Sequence, residues 1–288
     1  MGSGLKTCYE YYIAGCNSEY RDKCYESMED HIGKMLEVYR THLNMVRLTV
    51  RNAYNNYIKD LEMLLSKRGI KTLDLGYATE IIECDPVELS IALHDVGKCT
   101  QRNQDRLRER CTAPHHEAIS AAYLINLAIS LDSQWGPLLA LPHAIAILLH
   151  HHPMRSIEEA LSKAHTIRVD EKDVACVSKC ASETLKKTCS KLASSIIADR
   201  LIDKIPNLLS IINYMFRHSE TAEIAIPAYG VALRITGVLS ILDRYSAGIN
   251  RSCGVVSEKD LDRSIVEYLR RKRAFVEASR ILRDLGMI

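Results

Sequence analysis

The pair His94-Asp95 is the stretch of this sequence with the clearest chemical potential. An imidazole and a carboxylate stand side by side at the end of an apolar run, and Gly97 follows shortly after them. Neighbouring residues on a helix point about 100° apart, so the two side chains can approach one metal ion from different sides, or the aspartate can bridge two ions. One such pair occurs often by chance, and its significance therefore depends on the other histidines and acids.

Histidines are concentrated around this pair. Seven of the eleven lie between His94 and His152, and most of them fall at predicted helix ends. A helix end suits a metal ligand because the side chain can reach into a cavity while the backbone stays fixed. Imidazoles and carboxylates together suit manganese, iron, nickel, cobalt or zinc, and without a thiolate among them a closed structural zinc site is not expected.

The residues around the pair predict the helices that must position it. Asp85 is a typical N-cap, Pro86 suits the first helical position and Glu88 stands at the third, so a short, mostly buried helix should end near the pair, stopped by Gly97. Residues 101–110 fit either a helix or a solvated loop over the site. Further helices are expected over 28–69, 77–84, 114–130, 137–149, 156–164, 171–205, 227–244 and 257–286.

Composition favours a nearly all-α protein. The 288 residues can bury a large core, and seven prolines, thirteen glycines and two phenylalanines argue against a turn-rich β-sandwich. A formal net charge of +2 is not the strongly basic footprint of a protein that binds nucleic acid unaided. The longest apolar segment, 137–149, is too short to span a bilayer and no leader peptide is recognised, so we expect a soluble cytoplasmic protein.

The N-terminus and the cysteines offer weaker signals. The first 26 residues are tyrosine-rich with little periodicity, which predicts an irregular or loosely helical extension. Ten cysteines are scattered along the chain without the C-x-x-C spacing of a zinc site. We expect most of them to be reduced core residues; the alternative is an intracellular protein of a hyperthermophile, in which disulfides also form.

An ordered series of motifs extends over residues 31–251. It consists of His31, the segment His94-Asp95-Val96-Gly97-Lys98, His116-Glu117 with Ser120, the doublet His150-His151, and the segment Leu239–Ala247 that contains Asp243. In this order the series resembles the HD superfamily of metal-dependent phosphohydrolases, and most closely the stand-alone HD nuclease subunit of type I CRISPR interference systems, found chiefly in archaea. The resemblance implies an all-α HD-domain helical bundle with extra helices at both ends.

The resemblance also implies a site for two divalent metal ions, with Mn²⁺, Ni²⁺, Co²⁺, Fe²⁺, Mg²⁺ and Zn²⁺ as candidates. The ligands implied for the first ion are His31, His94, Asp95 and Asp243. Those implied for the second are Asp95, which is shared, with His116, His150 and His151. Two ions suit phosphodiester cleavage, because together they activate water and neutralise the scissile phosphate. Asp95 and Lys98 are the implied catalytic residues, Lys98 by adding positive charge near the phosphate, with a structural role as its alternative.

Four of these assignments have rivals in the sequence. His42 competes with His31, His115 with His116, the doublet 151–152 with 150–151, and Asp199 with Asp243. The remaining histidines, His143, His165 and His218, are most simply core or surface residues. The domain division that follows is an N-terminal extension over 1–26, an HD nuclease domain over 27–255, and a C-terminal helix over 256–288 packed on the same domain.

The function implied by the resemblance is a metal-dependent nuclease, either endonuclease or exonuclease, that cleaves single-stranded DNA, or RNA, in antiviral CRISPR interference. Residues 97–100 lack the upstream glycine of a phosphate-binding loop, so a separate helicase subunit would unwind the target and a surveillance complex would deliver it. The first alternative is an HD phosphohydrolase of nucleotides or cyclic dinucleotides. The second is a catalytically silent helical docking subunit that uses the basic cluster 270–273.

Overall fold

The computed structural model describes residues 8–16, 24–67, 79–132, 135–151, 169–196 and 219–251. Within these residues the protein consists of ten α-helices, one 3-10 turn and one two-stranded hairpin. The predicted all-α class is therefore confirmed, with the hairpin as an addition. The helices expected over 156–164 and 257–286 lie outside the described residues, and the division into three segments stays a prediction.

The elements follow one another without a repeat. The antiparallel hairpin pairs β1 (Ile13–Cys16) with β2 (Tyr25–Ser27). The helices are α1 (Met28–His42), α2 (Asn44–Lys67), α3 (Thr79–Glu83), α4 (Pro86–Leu93), α5 (Gln101–Arg110), α6 (His116–Leu131), α7 (Gly136–Leu149), α8 (Glu171–Leu185), α9 (Ser190–Ser194) and α10 (Ser219–Asn250). A 3-10 turn (Val96–Cys99) connects α4 to α5.

The start of α4 has the capping predicted from the sequence. The Asp85 side chain accepts hydrogen bonds from the backbone N–H groups of Val87 and Glu88, at 3.0 and 3.2 Å. Pro86 stands in the first turn, where its missing N–H costs nothing. Arg47 donates to the same aspartate at 3.0 Å, so the cap also ties α4 to α2. All residues of α4 are buried, which makes it a rigid support for the pair that follows it.

The end of α4 differs in one respect from the prediction. His94 is the C-cap residue of α4 and Asp95 is the N-cap of the 3-10 turn, so Gly97 lies inside this turn rather than at the helix end. A Cβ at Gly97 would lie 2.2 Å from the backbone oxygen of His116, and the backbone N–H of Gly97 donates to Ser120 Oγ at 2.8 Å. Glycine is therefore required because α6 approaches the turn this closely.

The core of the protein is built on α6, α7 and α10. α7 packs against both of the others, and almost all of its residues are buried, as expected for a helix that is apolar on every face. The segment Glu223–Asn250 of α10 is long and apolar enough to cross a bilayer, but 67% of its most apolar window is buried inside the protein. α10 is thus a core helix of this fold.

Several helix boundaries differ from the prediction. The single pattern expected over 28–69 is divided by Leu43, which caps α1 with non-helical backbone angles. α10 begins at Ser219 and continues through Pro227, which was predicted as its first residue. The range 171–205 contains α8 and α9 in its described part, and residues 101–110 form a helix rather than a loop.

Among the first 26 residues, those that the structure describes are not the irregular or loosely helical extension that we predicted. They form the hairpin of β1 and β2, which docks on α5 through Gln104. Ile13 donates its backbone N–H to Gln104 Oε1, and Gln104 Nε2 donates to the Ile13 carbonyl, both at 2.9 Å. Strands of four and three residues are too short to show an alternating pattern in the sequence.

The expectation of reduced cysteines is wrong for the described residues, none of which is a free cysteine. Cys24 is disulfide-bonded, and four further bonds join cysteines whose Cα atoms lie 5.3–6.4 Å apart. These bonds are Cys8–Cys176, Cys16–Cys111, Cys84–Cys189 and Cys99–Cys180. The partners are 81–168 residues apart in sequence, so no local spacing could have predicted the pairing.

Candidate metal centre

Four side chains converge in a first cluster, one from α1, two from the residues directly after α4, and one from α10. They are His31, His94, Asp95 and Asp243. His31 Nε2 lies 3.5 Å from Asp95 Oδ2 and 3.2 Å from Asp243 Oδ1, and His94 Nε2 lies 3.4 and 3.8 Å from the same two oxygens. Tetrahedral ligands at about 2.1 Å from an ion are about 3.4 Å apart. The spacing therefore fits the first shell of one divalent ion.

A second cluster adjoins the first and shares Asp95 with it. Its other members are His116, His150 and His151, from the start of α6 and the end of α7. His116 Nε2 lies 3.2 Å from Asp95 Oδ1 and 2.8 Å from His151 Nε2. His150 Nε2 lies 4.0 Å from the same aspartate oxygen. All seven residues that the resemblance implied as ligands are thus brought together.

The two oxygens of Asp95 face different clusters. Oδ2 is directed at His31 and His94, whereas Oδ1 is directed at His116 and His150. Among the described residues, Oδ1 and His150 Nε2 are buried without a hydrogen bond of acceptable geometry. Buried polar atoms of this kind are costly unless another partner satisfies them. The residues therefore fit a pair of divalent ions bridged by one carboxylate.

Backbone carbonyls orient three of the histidines. Nδ1 of His94, His116 and His150 lies 2.9, 2.7 and 2.5 Å from the carbonyl oxygen three residues earlier in the chain. A carbonyl can only accept a hydrogen bond, so Nδ1 of each ring carries a proton, and Nε2 is the nitrogen that has the lone pair when the ring is neutral. Each of these rings therefore presents Nε2 to a cluster in the tautomer that a metal ion requires.

His31 has a different partner from the other three. Its Nδ1 lies 2.7 Å from Glu26 Oε1, and this glutamate is 1% exposed. Ser246, Asn250 and Arg251 donate hydrogen bonds to the Glu26 carboxylate at 3.2, 2.9 and 2.6 Å. The sequence analysis missed Glu26, because it lies in a hairpin that was not predicted and belongs to no motif of the series.

The first cluster is charged in the absence of a metal ion. Burial alone would raise the pKa of Asp95, but His94 and Lys98 hold it well below its usual range. Burial likewise opposes ionisation of Asp243, and hydrogen bonds from His31 and His94 lower its pKa. Burial would lower the pKa of His94, but Asp95 and Asp243 reverse this effect and raise it to about 9. A cation that binds here would replace protons on these imidazoles.

In the second cluster His150 and His151 are neutral, and this cluster is more accessible. Burial and the neighbouring His94 lower the pKa of His150 to about 4. Burial and the neighbouring His150 lower the pKa of His151. Both rings are therefore unprotonated at neutral pH, as metal ligands must be. His31 and His94 are fully buried, whereas the His151 side chain is 32% exposed. Solvent thus reaches the centre from the second cluster.

Lys98 is placed beside the bridging carboxylate. Its Nζ lies 2.5 Å from Asp95 Oδ2, and the residue is 5% exposed. This ion pair is the contact expected from the structural alternative that we gave for Lys98. Its predicted contact with a phosphate stays a prediction.

Two of the four rival assignments can be compared directly. His42 is exposed at the end of α1 and belongs to neither cluster, whereas His31 is in the first. His115 is the N-cap of α6 with a left-handed backbone (φ 60°), and it is His116 that enters the second cluster.

For the other two competing assignments and the remaining histidines, the structure describes only some of the residues. His150 and His151 are both in the second cluster, and Asp243 is in the first. His143 is a core residue: its Nδ1 lies 3.1 Å from both Ser90 Oγ and the Pro86 carbonyl, and burial lowers its pKa to about 4. Of the rival residues and the remaining histidines, four lie outside the described residues: His152, His165, Asp199 and His218.

Comparison with known proteins gives a structural likeness. No protein-family model matches the sequence, and no curated protein matches it. Among solved structures, the chain is similar to the CRISPR-associated Cas3 HD domain protein MJ0384 from Methanocaldococcus jannaschii, with 18% sequence identity and a TM-score of 0.38 over 76% of this chain and 95% of that chain. The predicted resemblance is confirmed at the level of a mostly helical protein with two His/Asp clusters that could hold metal ions.

Proposed function

We propose that this chain is a divalent-metal-dependent nuclease that cleaves single-stranded DNA, with RNA as a second possible substrate. The observation that carries the proposal is Asp95, whose two oxygens each face one cluster of metal-binding side chains. When bound there, divalent ions would lower the pKa of water and stabilise negative charge on a phosphodiester. The CRISPR context rests on the ordered motif series of residues 31–251.

In the proposed reaction each side chain of the site has a separate role. In this proposal Asp95 would contribute a carboxylate oxygen to each of the two metal sites, and Asp243 would supply the second carboxylate of the first cluster. The neutral rings of His150 and His151 add no positive charge that would repel a cation. Lys98 keeps the Asp95 carboxylate ionised and adds positive charge for a phosphate beside it.

Access and charge support a polymeric substrate delivered by partners. The centre is reached from solvent at His151, and a substrate held there would not have to enter the buried first cluster. The formal net charge of +2 favours a chain that depends on a local site rather than on a strongly basic surface. We therefore propose a cytoplasmic protein that works with a separate helicase subunit and a surveillance complex.

The test is a cleavage assay with a matched control variant. The purified chain is incubated with labelled single-stranded DNA, single-stranded RNA, mononucleotides and cyclic dinucleotides, each with Mn²⁺, Mg²⁺, Co²⁺, Ni²⁺ or Zn²⁺. Asp95→Asn removes the bridging charge at nearly constant volume. Asp60→Asn makes the same chemical change at an exposed position on α2 and is the control. Bound metal is measured for all three proteins by elemental analysis.

The possible outcomes separate the alternatives. We expect cleavage of DNA by the unaltered protein and by Asp60→Asn, and a loss of cleavage together with bound metal in Asp95→Asn. Turnover of mononucleotides or cyclic dinucleotides alone would replace the nuclease with a nucleotide phosphohydrolase. A protein that binds no metal and cleaves none of the substrates would instead be a docking subunit.

A further inference from the structure

We propose that Glu26 positions His31 for metal binding, so that the N-terminal hairpin is part of the metal centre and not an appendage to it. The inference rests on the proposed metal-dependent function. It assigns a role to a residue outside the motif series, on a strand that pairs with β1 rather than on a helix of the core.

The first observation is the contact between Glu26 and His31. Glu26 Oε1 lies 2.7 Å from His31 Nδ1, while Nε2 of the same ring lies 3.2 Å from Asp243 Oδ1. A carboxylate only accepts, so the Nδ1 proton is directed at Glu26 and Nε2 is left for the cluster. The other three oriented histidines use neutral carbonyls for this purpose. A charged partner also makes the imidazole a more basic ligand, which strengthens its bond to a metal ion.

The second observation is how firmly Glu26 is held. The carboxylate is almost completely buried, and three donors from the end of α10 surround it in addition to His31. Arg251 pairs with Oε2 at 2.6 Å, while Asn250 and Ser246 donate to Oε1. A buried carboxylate with every oxygen satisfied has little freedom to move, and it therefore fixes the plane of the His31 ring.

The third observation is that this network connects α1 and α10, two of the elements that contribute to the first cluster. Ser246 Oγ lies 3.2 Å from Glu26 Oε1 and 3.0 Å from the backbone oxygen of His31, so its single hydroxyl proton is shared between these two acceptors. Ser246 stands three residues after Asp243 on α10. Glu26 thus joins the helix that carries His31 to the helix that carries Asp243, and it helps to set the distance between these two side chains.

The hairpin is shaped to admit this arrangement. Gly15 on β1 is the register partner of Glu26 on β2. A Cβ at Gly15 would lie 2.2–2.4 Å from the guanidinium atoms of Arg251, so the strand leaves room for the arginine only because this residue is glycine. Both strands of the hairpin thus approach the Arg251 side chain, β1 through Gly15 and β2 through Glu26.

The experiment compares Glu26→Gln and Glu26→Ala with Glu29→Gln. Glu29 lies on α1, is exposed, and pairs with Lys187 rather than with the cluster, so its substitution is a matched control. Each metal-free protein is titrated with Mn²⁺ in a calorimeter, and with Co²⁺ while the visible ligand-field spectrum is recorded. The spectrum reports the ligands around the ion and does not depend on catalysis.

We expect the unaltered protein to bind two ions and Glu29→Gln to behave identically. Glu26→Gln should weaken one of the two sites about 10-fold, because the amide oxygen still accepts from Nδ1 but carries no charge. Glu26→Ala should weaken the same site about 100-fold and alter its Co²⁺ spectrum, because the ring loses its partner. The second site should keep its affinity in all variants.

The remaining outcomes would contradict the inference in distinguishable ways. Two unaltered sites in both Glu26 variants would overturn the role of Glu26 and leave the proposed metal function in place. An equal loss at both sites, with lower thermal stability, would show a structural role only and would also overturn it. If neither Glu26 variant folds, Asn250→Ala decides, since it removes one donor to Glu26 and should still weaken the first site selectively. An unaltered protein that binds no metal would overturn both proposals.

Discussion

The contact between Asp95 and Lys98 allows a quantitative prediction for the metal-free protein. Lys98 Nζ lies 2.5 Å from Asp95 Oδ2, and both residues are almost completely buried. Asp95→Asn would leave a buried ammonium group beside a neutral amide. Removing one partner of a buried ion pair costs about 3–5 kcal/mol. We expect a decrease of this size in the free energy of unfolding.

The complementary substitution should cost less. Lys98→Met leaves a buried carboxylate, but nitrogen atoms of His31, His94 and His116 remain within 3.2–3.5 Å of its oxygens and can compensate. We expect a loss of about 1–3 kcal/mol. In the double variant neither charge is left alone, so the total loss should be smaller than the sum of the single losses by about 1–3 kcal/mol.

The assay is equilibrium unfolding in urea, followed by circular dichroism, for the unaltered protein, the two single variants and the double variant. A chelator removes metal ions, and no reductant is added, so that the disulfide bonds stay intact. Losses that add to within about 0.5 kcal/mol would refute the reasoning, because independent sites are additive. Lys98 would then not be paired with Asp95 in solution.

Three further predictions concern the close approach at Gly97, the charge of His94 and the disulfide bonds. Gly97→Ala should lower the free energy of unfolding by about 1–3 kcal/mol, because its Cβ would lie 2.2 Å from the backbone oxygen of His116; an unchanged urea midpoint would contradict this contact. The pKa of His94 is raised from 6.5 to about 9 in the folded, metal-free protein, so its contribution to stability is complete below about pH 6.5 and is lost as the pH rises to about 9. Metal binding must displace this proton, so the apparent affinity for Mn²⁺ should rise about tenfold per pH unit from pH 7 to 9. A constant affinity, measured by calorimetry over this pH range, would contradict the expected pH dependence. Reduction with a dithiol should lower stability by about 2–5 kcal/mol for each bond broken, and thiol alkylation of the unreduced protein should leave Cys84 and Cys189 unlabelled.

Local features of this protein were determined by the sequence alone. The cap at Asp85, the proline after it and the apolar run up to the pair predicted α4 and the position of His94 and Asp95 at its end. These signals are local, because a cap, a first turn and a helical period each involve residues within a few positions of one another. The composition likewise predicted the helical class, and the order of the motifs predicted which side chains would meet.

Boundaries were less predictable where tertiary packing overrides local preference. Pro227 was expected to begin a helix, but α10 continues through it because its apolar faces are buried against neighbouring helices. Leu43 was expected inside one long helix, yet it divides α1 from α2 while its own side chain is fully buried. Burial of the apolar faces of α10 and of the Leu43 side chain contributes more to the free energy of folding than the local helix propensities.

Only the tertiary structure decided which distant groups are neighbours. The orientation of the two Asp95 oxygens, the partners of the cysteines and the place of Glu26 beside His31 all follow from how the helices pack. Glu26 meets Arg251 across 225 positions of the chain, and Cys8 meets Cys176 across 168. No periodicity or cap extends over such distances, because contacts of this kind are determined by burial and packing of the whole chain rather than by neighbouring residues.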